Sequence, residues 1–286
     1  FPGIDPIANR EEGEALVERI KDLPFVVTSV GKKDGREFAP RLFDLTSLQV
    51  ECNKKFAYSA DETLKLIQSL YEKKVATYPR VDTTFLSDDI YPKCPAILKG
   101  LRDYEVLTAP LAGTTLPKSK KVFDNSKVTD HHAIIPTVEI ARTDLSALPS
   151  GERDVLALIA MRLLCATGQT HRFEAVTAVL DCASHSFTAK GKTVLQAGWK
   201  EIERLYRMGL KQAEPEKEDP ADAALPELTQ GQTFEPVAAS VREGKTSPPK
   251  HYTEDSLLAA METAGAADAP EDAERKGLGT PATRAA

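Results

Sequence analysis

Apolar positions recur at two spacings along this chain, and the changes of spacing divide it into stretches. Ala15, Leu16, Ile20 and Leu23 fall on one helical face and predict a short helix over 11–23. Phe25-Val26-Val27-Thr28-Ser29-Val30 predicts a strand, and Lys33-Asp34-Gly35 a tight turn into a second strand. From Thr46 the pattern turns helical. Ser59 or Asp61 suits the cap of a helix running through Leu64, Ile67 and Leu70 to Lys74. A further helix is predicted over 150–165, with Ser150 as N-cap, Glu152 in its first turn and Val155, Leu158, Ile159 and Leu163 on one face. Over 172–200 the period shortens, giving strands at 175–180 and 193–196. Gln212 to Leu225 reads as a solvated loop rich in Glu, Asp, Ala and Pro. Thr233 to Val237 and Ala238 to Arg242 read as more strand, and Thr253-Glu254-Asp255 opens an amphipathic helix through Leu257, Leu258 and Met261. The class is mixed α and β, without an internal repeat, and 286 residues are enough for two or three domains.

Charge changes this picture little. The net charge is −6, which argues against a chain coated in basic residues for nonspecific nucleic-acid binding. Residues 40–165 carry 17 Lys and Arg against 16 Asp and Glu, whereas 166–286 carry 14 against 19. The earlier segment is therefore the less acidic one, but it is no basic stripe. Cys52, Cys94, Cys165 and Cys182 show no CxxC spacing, which argues against a zinc ribbon and for reduced core thiols in the cytoplasm. No apolar run reaches a membrane-spanning length of about 18 residues. Phe1 in place of Met, and an end at Ala286 soon after a helix start, suggest a piece of a longer protein.

Candidate chemistry lies in two stretches. Thr77-Tyr78-Pro79-Arg80-Val81-Asp82-Thr83 places a phenol two residues before a guanidinium, and Pro79 biases Tyr78 towards an extended conformation. Asp130-His131-His132-Ala133-Ile134-Ile135-Pro136-Thr137 supplies imidazoles. Together these are parts for attack on a phosphodiester: a neutral phenol, with a pKa near ~10, is a poor nucleophile. A fixed cation lowers that barrier and neutralises phosphoryl oxygens. Arg80 can grip two oxygens at once, or instead pair with Asp82. Adjacent His131 and His132 point in different directions on regular backbone, so one readily faces a site. A lone Tyr-Pro-Arg is ordinarily a surface turn, so context decides.

That context is a resemblance. TYPRVDT resembles the active-site segment of the type IA DNA topoisomerases, and DHHAIIPT their second signature. Arg41-Leu42-Phe43-Asp44-Leu45-Thr46-Ser47-Leu48-Gln49, the stretch Glu243 to Glu254, and Gly277 to Arg284 agree with the family in the same order. The likeness covers roughly residues 36–286, and the DHHAIIPT form and GLGTPATRA ending are most similar to bacterial topoisomerase III. Val81 departs from the Thr or Ser usual there, so one hydroxyl near the cleavage site is missing.

The resemblance implies the arm of a torus, with helical, winged-helix-like domains and a split β-rich arch. The arch would take residues 1–39 and 166–247, a helical domain carrying the tyrosine 40–165, and the start of a basal helical DNA-binding domain 248–286. It implies Tyr78 as nucleophile, with Arg80 and His131 on the phosphate. Asp82, His132, Lys276, Thr280, Thr283 and Arg284 are candidate DNA contacts, His132 and Asp82 having structural or orienting roles as alternatives. Gly277 to Thr283 suits either phosphate binding by its amides and hydroxyls or a helix cap. Magnesium is expected outside this region, in a Toprim domain ahead of it, since no Asp-x-Asp occurs here. The expected partners are single-stranded or underwound DNA and that Toprim domain, with no membrane. The implied activity is ATP-independent strand cleavage, passage and resealing, with the fragment alone not competent to cleave. A non-catalytic strand-gating or binding module is the alternative. A metal-dependent DHH phosphoesterase fits poorly without further aspartates, and Gly244-Lys245-Thr246 is no P-loop because Ala239 stands where its first glycine belongs.

Overall fold

The computed structural model describes residues 9–101, 105–111, 117–210, 223–235, 238–265, 277–279 and 283. These fall into two units: 1–37, 171–197 and 215–249 form one, and 38–170, 198–214 and 250–286 the other.

In the first unit, helix α1 (Arg10–Ile20) is capped by Asn9, whose side chain accepts from the Glu12 N–H. It is followed by strand β1 (Phe25–Glu37), which is continuous. The turn predicted at Lys33-Asp34-Gly35 is absent, and these residues pair with Ala175, Glu174 and Phe173 of β2 (His171–Cys182). Gly35 is there for another reason: a Cβ at this position would come within 2.2 Å of the Phe173 ring. β2 turns through Ala183 and Ser184, both at positive φ, into β3 (His185–Gln196). Such a two-residue turn matches strand twist but usually carries Gly or Asn, so the hairpin sends a weak sequence signal. β4 is only Thr233–Phe234, and the antiparallel sheet runs β3-β2-β1-β4. Ala238 to Arg242, read as strand, is exposed chain without regular structure. A small core gathers Ile20, Phe25 and Cys182 with Leu16, Leu180, Phe187 and Phe234 around them. Most of the predicted loop at Gln212–Leu225 lies outside the described residues.

The second unit is helical. α2 (Leu45–Phe56) starts in a capping box between Asp44 and Ser47, and α3 (Ala60–Glu72) is capped by Ser59. Short helices α4 (Cys94–Gly100) and α5 (Glu105–Leu111) follow. α6 (Ser150–Ala166) begins one residue earlier than its cap prediction, with Pro149 at the cap position. It is buried on every side rather than along one stripe: Val155 to Met161 and Leu163 to Cys165 are all interior. Helix α7 (Trp199–Gly209), which strand periodicity obscured, packs on α5 and α6, and α8 (Glu254–Thr263) packs on α2. At roughly 1.5–3 kcal/mol per large buried apolar side chain, α6 is the principal contributor to this core.

Candidate active site

Tyr78 lies in irregular chain just beyond α3. The helix ends at Glu72 with Lys73 as its C-cap, and Lys74 adopts φ 64° to redirect the backbone. Val75 and Ala76 then donate their N–H groups to the Leu70 carbonyl at 3.0 and 3.3 Å. From there the chain runs antiparallel to the DHHAIIPT stretch. Thr77 N–H donates to Ile135 O at 3.0 Å, Thr137 N–H to Val75 O at 3.0 Å, and Ala76 bridges Pro136. Thr77 adds a side-chain link, its hydroxyl accepting from Ile135 N–H at 3.0 Å and donating to Ala133 O at 3.3 Å.

The Arg41–Gln49 stretch forms the floor. Leu42 and Phe43 are buried, and Ile134 N–H donates to Phe43 O at 2.8 Å. Arg162 lies 3.9 Å over the Phe43 ring and donates from Nη1 to Arg41 O at 3.1 Å; burial lowers its pKa. On the far side of the tyrosine, Leu45 N–H donates to Val81 O at 3.1 Å. The Val81 side chain itself is 4% exposed and packs in the core. The residue that departs from the family pattern is thus turned inward, where a methyl group suits better than a hydroxyl.

This ladder brings two predicted residues into contact. The Tyr78 and His131 rings lie with centroids 4.5 Å apart at 38°, and His131 is exposed. Tyr78 is half-buried, with Tyr71 of α3 edge-on at 5.4 Å. The phenol is therefore held between two rings. Arg80 and Asp82 are both exposed, and no ion pair joins them, so the guanidinium is open to an anion. His132 turns away from its neighbour. Its Nδ1 lies 2.8 Å from Ala133 O, and burial pushes its pKa below the usual range. That setting suits the structural alternative for His132.

Of the remaining candidates, Lys276, Thr280 and Arg284 lie outside the described residues, and Thr283 is exposed. Gly277 packs against the last turn of α8. It has φ 61°, any Cβ there would lie 2.4 Å from the Met261 and Glu262 carbonyls, and Leu278 N–H donates to Met261 O at 2.8 Å. Sequence reasoning missed Thr77 and Tyr71. Thr77 carried a signal, because in extended chain its side chain must point away from that of Tyr78 and towards a neighbouring strand. Among the described residues no three His, Cys, Asp or Glu side chains are grouped to hold a metal ion, and no helix is long and apolar enough to cross a membrane.

A family model for DNA topoisomerase matches residues 4–286. The chain belongs to the type IA DNA topoisomerase family. DNA topoisomerase 3 of Bacillus subtilis (strain 168) is 37% identical over 287 residues, covering 97% of this chain and 38% of that protein. DNA topoisomerase 3 of Bacillus licheniformis is 37% identical over 280 residues, covering 94% and 37%. The topoisomerase chain thus spans well under half the length of these curated relatives. Full-length topoisomerase I from Thermotoga maritima shares the fold, with a TM-score of 0.64 over 95% of this chain and 41% of that one at 23% identity. The mixed architecture, with β1 paired to β2 across the helical residues between them, is that of a type IA arm with a split β-rich arch.

Proposed function

We propose that this chain is the tyrosine-bearing arm of an ATP-independent, topoisomerase III-like enzyme that cuts one DNA strand through a 5′-phosphotyrosine, passes a strand and reseals. The observation that carries this reading is the contact of the Tyr78 ring with His131 at 4.5 Å, beside an exposed Arg80. Tyr78 Oη attacks phosphorus, a P–Oη bond forms, and the bond from phosphorus to the 3′ oxygen breaks. The phenol gives up one proton and the leaving 3′ oxygen takes one, so cleavage is proton-neutral overall. The new ester keeps the energy of the old one, and reversal needs no nucleotide. Arg80 meets the two non-bridging oxygens as charge develops, and His131, once released from the ring, hydrogen-bonds one of the same two. Single-stranded or underwound DNA is the substrate, because a phenol must reach the backbone.

Magnesium does not fit the described residues of this chain, which group no ligands for it. The reading assigns it, and the acid that protonates the 3′ oxygen, to a Toprim domain of the same protein. The arm alone then binds strands without cutting them, in the cytoplasm of a bacterium.

The test mixes this chain with a separately produced Toprim domain, magnesium and end-labelled single-stranded DNA, and traps with SDS. A covalent adduct carrying the 3′-side fragment, absent with Tyr78→Phe and absent without the Toprim domain, is the expected result. If the two proteins associate and bind DNA yet no adduct forms, the gating or binding module is the better description.

A further inference from the structure

Residues 117–128 hold four lysines and one aspartate in a chain of net charge −6. Lys118, Lys120, Lys121 and Lys127 are all exposed. Lys118 pairs with Asp88 at 2.6 Å, whereas Lys120 and Lys127 make no ion pair with any described residue. The single acid, Asp124, is engaged locally, accepting from the Ser126 N–H at 3.1 Å and hydroxyl at 2.7 Å. The segment is thus a net cation.

It is also stitched to the chain that leaves the active-site loop. Thr83 Oγ1 donates to Lys127 O at 2.7 Å, Leu86 N–H to Val122 O at 2.8 Å, and Asp124 N–H to Leu86 O at 2.9 Å. Aromatic rings accompany the cations. Phe38 is 59% exposed with Lys121 Nζ 3.1 Å from its ring centroid, and Arg41 lies 5.3 Å over Phe85. A large apolar ring left in water beneath an ammonium suits an unpaired base, which stacks on the ring while its phosphate meets the cation. A duplex hides its base faces and gains nothing from Phe38.

We propose that Lys120, Lys121 and Lys127, with Phe38, form a contact track for the single DNA strand flanking the bond at Tyr78. This rests on the topoisomerase reading above and adds a strand-binding site to it. The lysines hold backbone phosphates and Phe38 stacks a base.

The test titrates a fluorescent oligothymidylate of about twenty nucleotides with this chain at several salt concentrations, by anisotropy. In K120A/K121A/K127A, affinity falls and the slope of log affinity against log salt shrinks by about 2, since each single-strand phosphate contact contributes ~0.7. In Phe38→Leu, affinity falls about fivefold or more with the slope unchanged. The control K21A/K65A/K99A removes as much charge from exposed positions elsewhere and leaves the slope intact. Normal affinity and slope in the triple variant overturn the track alone. An equal loss in the control reduces the effect to net charge and also overturns it. Failure of the unaltered chain to bind the strand overturns the track and counts against the parent reading too.

Discussion

Thr77 shows how much one hydroxyl settles at the residue scale. It accepts from Ile135 N–H and donates to Ala133 O, so a single oxygen adds two links to the backbone register between the chain carrying Tyr78 and the chain carrying His131. Thr77→Val keeps the shape but strands the part-buried Ile135 N–H and leaves Ala133 O to His132, and is expected to cost about 1–3 kcal/mol in urea unfolding. Thr77→Ser should recover most of it. In the reconstituted cleavage assay the valine variant forms adduct more slowly while binding single strands normally. Full stability in Thr77→Val would show that backbone hydrogen bonds alone hold the register. Tyr78, Arg80 and His131 stood out as candidate chemistry only through the family resemblance around them, since a lone Tyr-Pro-Arg is ordinarily a surface turn. Thr77 was harder to see, since its partners are backbone groups about sixty residues away.

At the scale of elements, the misread ones share a cause. Lys33-Asp34-Gly35 has the composition of a turn, yet it lies inside β1 because β2 supplies an unbroken partner and Gly35 makes room for the Phe173 ring. Local propensity was overruled by cross-strand packing. Gly35→Ala is expected to destabilise the sheet unit by about 1–3 kcal/mol, because ring or backbone must move. The penalty should shrink in a Phe173→Ala background, and an unchanged penalty in that double-mutant cycle would place the strain elsewhere. The start of α3 was readable because its capping residue, Ser59, carries a side-chain bond that needs nothing beyond the first turn, whereas the Asp44–Ser47 capping box of α2 went unread. α6 was located correctly, but not its depth, since a helix surrounded by others shows no polar face to periodicity.

Across the whole molecule, the two units differ in what holds them. Among the described residues the sheet unit gathers a small core cluster, Ile20, Phe25 and Cys182, whereas the helical unit buries an extended cluster from Leu42 to Tyr206. Native-state hydrogen exchange should find the β3 amides opening at least about tenfold faster than those of α6, and equal protection would mean a single cooperative unit. The sequence by itself determined the family and pointed to Tyr78, Arg80 and His131 as candidates, and it marked the start of the Ser59-capped helix, because those depend on residue types at short spacing. The tertiary structure alone decided that β1 runs through Lys33-Asp34-Gly35, that His132 and Val81 face inward, and that Gly277 packs on the last turn of α8. It also decided that a lysine-rich stretch is sewn beside the tyrosine loop. Each of these is set by a partner distant in sequence, and pairing across distance leaves no periodic trace along the chain.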